Sequence, residues 1–255
     1  MPRSLHGGRH ELGQNFLTHR PTLGRIITLV SATTGPILEL GAGDGALTRP
    51  LADLGRPLTA VDIDEHRVRR LRASLPRVRV VAADATRHPL DTDVIVGNIP
   101  FHLTTPILRR LLTSTGWRQA VLLTQWEVAR KRAGVGGSTL LTAQSAPWFE
   151  FRLEGRVPAW GFSPQPSVDG GLLSISRRGS PLVTPPDRRR YDAFVRAAFT
   201  GRGSNLASIV ARAAGADAHA ARRALTRAGA SRARLPRDLH GEQWAALWRE
   251  LSRQR

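Results

Sequence analysis

The chain has no cysteine, which excludes disulfides and thiolate metal sites and fits a soluble cytoplasmic protein. Long apolar runs are missing too. None approaches the twenty or so residues that a spanning helix needs, so no membrane-embedded segment is expected. The first nine residues are basic but hold no apolar stretch, so no secretory signal is expected. No histidine pair has metal-ligand spacing, and no metal is expected. Internal repeats and low-complexity blocks are absent. Acid is scarce: 20 Asp and Glu face 38 Lys and Arg in 255 residues, a formal net charge of +18. That imbalance implies an anionic partner, nucleic acid first and an anionic membrane surface second. It is uneven as well. Residues 177–255 carry 17 Arg against 6 acidic residues, a net of +11.

What is present is an alternation of strand and helix. Apolar periodicity predicts a helix over 21–30, a strand over 36–40, a helix over 46–54 and a strand over 57–61. A helix over 65–75, strands over 78–82 and 93–97, a helix over 105–112 and a strand over 120–124 follow. After a helix near 137–143, segments 149–157 and 170–177 read as a closing hairpin with a long loop. Such alternation predicts an α/β fold with a Rossmann-like, doubly wound and mainly parallel sheet. Arg178-Gly179-Ser180-Pro181 through Pro185-Pro186 reads as a linker, and helical spacing dominates beyond it. Two domains are expected: residues 1–178, and a small basic helical domain over 179–255.

Each strand ends in a polar residue at the edge where open α/β sheets bind ligands. Gly41-Ala42-Gly43-Asp44-Gly45 lies between strand and helix, and the next strand ends in Asp62, placed to accept two ribose hydroxyls. NAD and S-adenosylmethionine both suit this arrangement. The last glycine of a dinucleotide fingerprint is missing, however, since Ala46 follows. Glu39 would repel a pyrophosphate but suits the cationic half of a sulfonium. The methyl donor is therefore favoured. Asp84 ends the third strand, where it could meet an adenine amine or simply cap a helix.

The strand over 93–97 runs into Asn98-Ile99-Pro100-Phe101. An adenine amine is a weak nucleophile because its lone pair is delocalised into the ring. Two acceptors on its N–H groups would aim that lone pair, and no titrating base is needed. Asn98 offers a side-chain oxygen. Ile99 offers a carbonyl, held extended because Pro100 follows. Phe101 offers a ring to stack on the base. Taken alone, Asn and Pro after a strand are also common turn residues.

Together the segments Gln14-Asn15-Phe16-Leu17, Glu39-Leu40-Gly41-Ala42-Gly43, Asp62-Ile63-Asp64, Asp84 and Asn98-Ile99-Pro100-Phe101 resemble the ribosomal RNA adenine N6-methyltransferases. Trp160-Gly161-Phe162-Ser163-Pro164-Gln165-Pro166-Ser167-Val168-Asp169 is similar to that family's late loop. The resemblance covers about residues 10–177. The isoleucine at 99 is closer to the Erm branch, which acts on 23S RNA, than to the small-subunit dimethyladenosine transferases. The resemblance implies transfer of one or two methyls to an adenine N6, and macrolide-type resistance. S-adenosylmethionine would be the cofactor, with 23S RNA met before or during ribosome assembly by a cytoplasmic monomer. It also implies Asn15, Leu17, Glu39, Gly41, Gly43, Asp62, Ile63, Asp84, Ala85 and Asn98 around the cofactor. Asn98, Ile99, Pro100, Phe101 and Phe162 would form the catalytic set, with Phe162 stacking opposite Phe101. Asp62 stands where glutamate is frequent, Phe101 where tyrosine is commoner, and Gln165 where lysine is frequent. The small-subunit branch, or a non-catalytic nucleic-acid-binding protein on the same scaffold, stays open at this point.

Overall fold

A computed structural model describes residues 15–253. Gln14 of the first quoted segment therefore lies outside the described residues. In chain order the elements are β1 (Phe16–Leu17), α1 (Arg20–Ser31), β2 (Ile37–Leu40), α2 (Thr48–Ala52), β3 (Leu58–Asp62), α3 (Glu65–Ser74) and β4 (Arg79–Ala82). Then come β5 (Val94–Asn98), α4 (Thr104–Thr113), β6 (Gln119–Gln125), α5 (Trp126–Arg132), α6 (Leu140–Ser145), β7 (Phe149–Val157), β8 (Phe162–Ser163) and β9 (Gly170–Arg177). Four helices end the chain: α7 (Arg188–Thr200), α8 (Leu206–Ala214), α9 (Ala218–Arg227) and α10 (Gly241–Ser252).

Seven strands form one sheet in the order β4-β3-β2-β5-β6-β9-β7, while β1 and β8 make a separate pair. From β4 across to β6 every pairing is parallel. The buried, largely apolar β2, β5 and β6 are what a parallel sheet covered on both faces demands. The strand order reverses between β2 and β5, and the carboxyl ends of these neighbours part there. Gly41 follows one and Asn98 closes the other. That is the switch point at which open α/β sheets place ligands.

Contacts divide the chain into two compact units that do not follow chain order. Leu153–Ile175 joins the chain up to Ala129, and Arg130–Arg152 joins the chain from Ser176 on. The first unit holds a continuous core that includes Ile26, Val30, Ile37, Val94, Val96 and Leu123. In the second, Tyr191 of α7 is fully buried and its hydroxyl donates to the Ala143 carbonyl of α6 at 2.7 Å. The Trp248 ring meets Tyr191 edge-on, and Phe194 packs against both Trp248 and Trp244. So α6 is built into the helical unit, although its sequence lies before the linker.

Candidate active site

The turn after β2 is shaped by two carboxylates. Asp62 closes β3 with 3 % of its surface exposed. It accepts the Gly43 N–H at 2.7 Å and the Asp64 N–H at 2.9 Å. Asp64 does separate work: it caps α3, accepting the N–H groups of His66 and Arg67. Gly43 sits at φ +54°, and a Cβ there would meet the Phe16 ring at 3.0 Å. Bare backbone is the only occupant that fits. Glu39 pairs in register with Ala60 of β3, two residues before Asp62 on the same strand. It is 1 % exposed, and its Oε2 finds no hydrogen-bond partner among the described residues. Burial pushes its carboxyl up to about 8; the Thr48 hydroxyl pulls it down in part, and the Asp62 carboxylate pushes it further up.

The second half of the site is the end of β5. A Cβ on Gly97 would come within 2.7 Å of the Leu40 carbonyl oxygen and of Ile99 Cδ1, so only glycine lets the strands pass here. The Asn98 Nδ2 donates to the Asn15 carbonyl at 2.7 Å. Its Oδ1 is left facing no donor among the described residues. Ile99 is buried, and its N–H donates to the Leu123 carbonyl at 3.0 Å. Its own carbonyl likewise has no donor among the described residues. Two acceptors from consecutive residues therefore stand at the switch point. Phe101 opens a short 3-10 turn, Phe101–Leu103, that runs into α4.

One cavity gathers Asn15, Gly41, Gly43, Asp62, Asn98, Ile99, Pro100 and Phe101, with Phe16. The enclosed part of this cleft is small, about 30 Å³. Larger cavities lie elsewhere, one of about 320 Å³ between α7, α8 and α10 in the helical unit and one of about 410 Å³ beside Trp126 and Asp169 in the first unit, and neither is lined by Asn98 or Ile99. The remaining candidates stand outside. Leu17 is a core residue of the first unit, and neither Ile63 nor Ala85 lines the cavity. Asp84 neither caps a helix nor lines the cavity. Its Oδ1 accepts both the N–H and the hydroxyl of Thr86 at 2.7 Å, and its carboxyl is held below the usual range despite partial burial.

Phe162 lies beside Phe101, with ring centroids 6.3 Å apart at 74°, edge to face. A base between two rings needs parallel planes about 7 Å apart, twice a van der Waals contact. Opposed stacking would require one ring to turn. As placed, Phe162 is 3 % exposed and belongs to the core.

Two participants escape a reading of the sequence by motifs. Phe16 lines the cavity while its neighbour Leu17 is in the core, as the alternation of a strand demands. That period was a usable signal. Arg67 was not signalled. Its guanidinium stacks over the Phe16 ring at 4.4 Å and pairs with Asp44 at 2.7 Å and Asp64 at 3.1 Å. It clamps the glycine turn to the N-terminal strand.

A family model for ribosomal RNA adenine dimethylase matches residues 5–230. The mycinamicin-resistance protein MyrB of Micromonospora griseorubida is 50% identical over 248 residues, covering 95% of this chain and 79% of that protein. An rRNA adenine N-6-methyltransferase of Corynebacterium diphtheriae is 52% identical over 209 residues, covering 80% of this chain and 83% of that one. Among solved structures, the 23S rRNA methyltransferase ErmE matches with a TM-score of 0.86 at 33% identity, over 93% of this chain and all of that one.

Proposed function

The chain belongs to the ribosomal RNA adenine dimethylase family, and from that premise we propose that it moves a methyl group from S-adenosylmethionine to the N6 of an adenine in 23S ribosomal RNA. The modified base would protect the ribosome from macrolide-type antibiotics. The observation that carries the chemistry is the pair of undonated acceptors, Asn98 Oδ1 and the Ile99 carbonyl.

Each acceptor takes one N–H of the target amine. This draws electron density onto the nitrogen and points its lone pair out of the ring plane, so the barrier falls through placement and electrostatics. The nitrogen that has just gained a methyl is strongly acidic and loses its proton to water, so no side chain need act as base. Phe101, half exposed at the cavity, supplies a face for the base once it has left its stack.

The residues present fit the donor. Asp62 brings a buried carboxylate with lone pairs left for ribose hydroxyls, and Gly41 and Gly43 leave bare backbone against the cavity. Glu39 adds an unpartnered buried carboxyl oxygen nearby. When bound, the donor supplies an electrophilic methyl on a sulfonium. We take the working form to be a monomer. Among the described residues no helix is long and apolar enough to cross a membrane. A ribosomal RNA met before or during assembly would put the work in the cytoplasm. The helices over 179–255, with the net +11 carried from residue 177 on, would hold RNA through phosphates.

Radiolabelled donor, incubated with naked 23S and small-subunit RNA fragments, tests the reading. Label on one adenine of the 23S fragment is expected, and the fragment's mass then gives one methyl or two. Label only on small-subunit RNA would move the chain to the other branch. No label on either RNA would remove the activity.

A further inference from the structure

Trp160 is 65 % exposed, while Trp117, Trp148, Trp244 and Trp248 are buried and Trp126 lies under the Arg156 guanidinium. Leaving an indole in water forfeits a large hydrophobic gain, and most proteins cover this side chain. It stands in the short turn Ala159–Gly161 that leads directly into β8 and Phe162. His19 meets the indole edge-on, with centroids 4.9 Å apart at 83°. His19 is itself fixed: its Nδ1 lies 2.7 Å from the Thr22 hydroxyl, and its backbone N–H donates to the Gly161 carbonyl at 3.1 Å. The Thr18 N–H donates to the same carbonyl at 2.9 Å. A Cβ on Gly161 would lie 2.8 Å from His19 Cβ, so the close approach that braces the indole needs glycine at 161.

The Cα of Trp160 is at most about 7 Å from that of Phe162 along the chain, and the Phe162 ring lies 6.3 Å from that of Phe101, so an exposed aromatic face stands within reach of the nucleotide next to the target. Arg20, exposed and adjacent to His19, offers a cation for the accompanying phosphate. In a chain of net +18, an RNA base suits this surface better than an apolar protein face. We propose that Trp160, braced by His19, is a stacking platform for the unpaired nucleotide next to the target adenine. It holds the strand in place while the adenine is turned into the cavity. The platform rests on the RNA-methylation reading above and adds a positioning residue to it.

The test uses the full chain and a 23S hairpin containing the target adenine, with an abasic residue placed on either side of it in turn. Trp160→Ala should weaken hairpin binding by roughly 5- to 150-fold, the range of base–aromatic stacking. Its affinity for S-adenosylmethionine should be unchanged, which checks the fold. Trp160→Phe should restore most of the binding. One of the two abasic hairpins should bind the wild type as weakly as Trp160→Ala binds the intact one, with no further loss when both changes are combined. Binding by Trp160→Ala within about twofold of wild type overturns the platform. So does a loss that simply adds to that of each abasic residue. Methyl transfer by the wild type is measured on the same hairpin. Transfer without any effect of Trp160 sinks only the platform, whereas no transfer sinks the methylation reading as well.

Discussion

Replacing Asp62 by alanine should damage the fold as well as ligand binding, and the two losses can be separated. The carboxylate accepts two backbone N–H groups, Gly43 at 2.7 Å and Asp64 at 2.9 Å. A buried donor left without its partner costs about 1–3 kcal/mol. The Gly43 bond is fully buried and should cost the whole of that, while the Asp64 bond is partly buried and water can recover some of its share. The expected loss is about 2–4 kcal/mol. At a slope near 3 kcal/mol per molar urea this moves the unfolding midpoint down by about 1 M. Asp62→Asn keeps the shape but turns one acceptor into a donor, so it should lose about half as much. Both variants should bind S-adenosylmethionine more weakly than their stability alone explains, as titrated by calorimetry where the protein is still folded. NAD should not compete. An unchanged urea midpoint for Asp62→Ala would refute the claim that this carboxylate braces the glycine turn. Unchanged donor affinity would refute its place in the cofactor site.

Other expectations follow from the same geometry. Asn98→Ala should lower turnover about a hundredfold or more, as loss of one preorganised group does elsewhere, with RNA affinity in filter binding nearly intact. Phe101→Ala should lower both rate and RNA capture, whereas Phe101→Tyr should match wild type in turnover and in macrolide tolerance of a sensitive host. Glu39 titrates near 8 when folded against 4.5 unfolded, so the native state binds the extra proton. The contribution of Glu39 to stability should therefore be full below about pH 4.5 and fall by up to about 1.4 kcal/mol per pH unit towards pH 8. Urea melts of Glu39→Gln should differ from those of the wild type by that slope, and an identical pH profile in both proteins would contradict the assignment. Changing exposed Arg222, Arg223, Arg232 and Arg234 together to Gln should leave donor binding alone. It should also flatten the salt dependence of RNA binding by about 0.7–0.9 for each phosphate no longer neutralised; an unchanged slope would leave these helices a purely structural role.

The parts of the fold legible in the sequence are those set by local periodicity. Strands β2, β3 and β5 and helices α1, α3 and α4 lie within a residue or two of their expected places, because each is apolar at the period of its own structure. β7 and β9 sit at the predicted limits and are neighbours in the sheet. The turn of Gly41 and Gly43, Asp62 and the Asn98–Phe101 segment were legible for a further reason, since they lie at strand ends and topology alone brings such ends together. Helix α5 was missed. Trp126 to Arg132 follows β6 with no intervening turn residues, and its sequence is polar apart from Trp126, Val128 and Ala129. The long-range partners were not legible either. Arg67 on Phe16 and Tyr191 under α6 depend on which side chains the folded chain brings together, and no local pattern records that. Even the short-range choice of Asp84, which turns to Thr86 instead of capping a helix, is decided by the fold around it.

The orientation of Asn98 shows how far such a partner can reach. An amide side chain could present either end to a ligand, and only its oxygen would help an amine. What selects the oxygen is the Asn15 carbonyl, 83 positions earlier, which takes the Asn98 Nδ2. That carbonyl is held by very little: β1 is two residues long and pairs only with β8, Phe16 with Ser163 and Leu17 with Phe162. So short a pairing is not stable alone. Leu17 in the core, the Gly161 carbonyl accepting from Thr18 and His19, and Arg67 over Phe16 complete the anchoring. A slip of one residue in this register would exchange the faces of Phe16 and Leu17, withdrawing the ring from the cavity and shifting the Asn15 carbonyl away from Asn98. The acceptor at the end of β5 thus depends on an N-terminal strand whose register is fixed by the turn that carries Trp160.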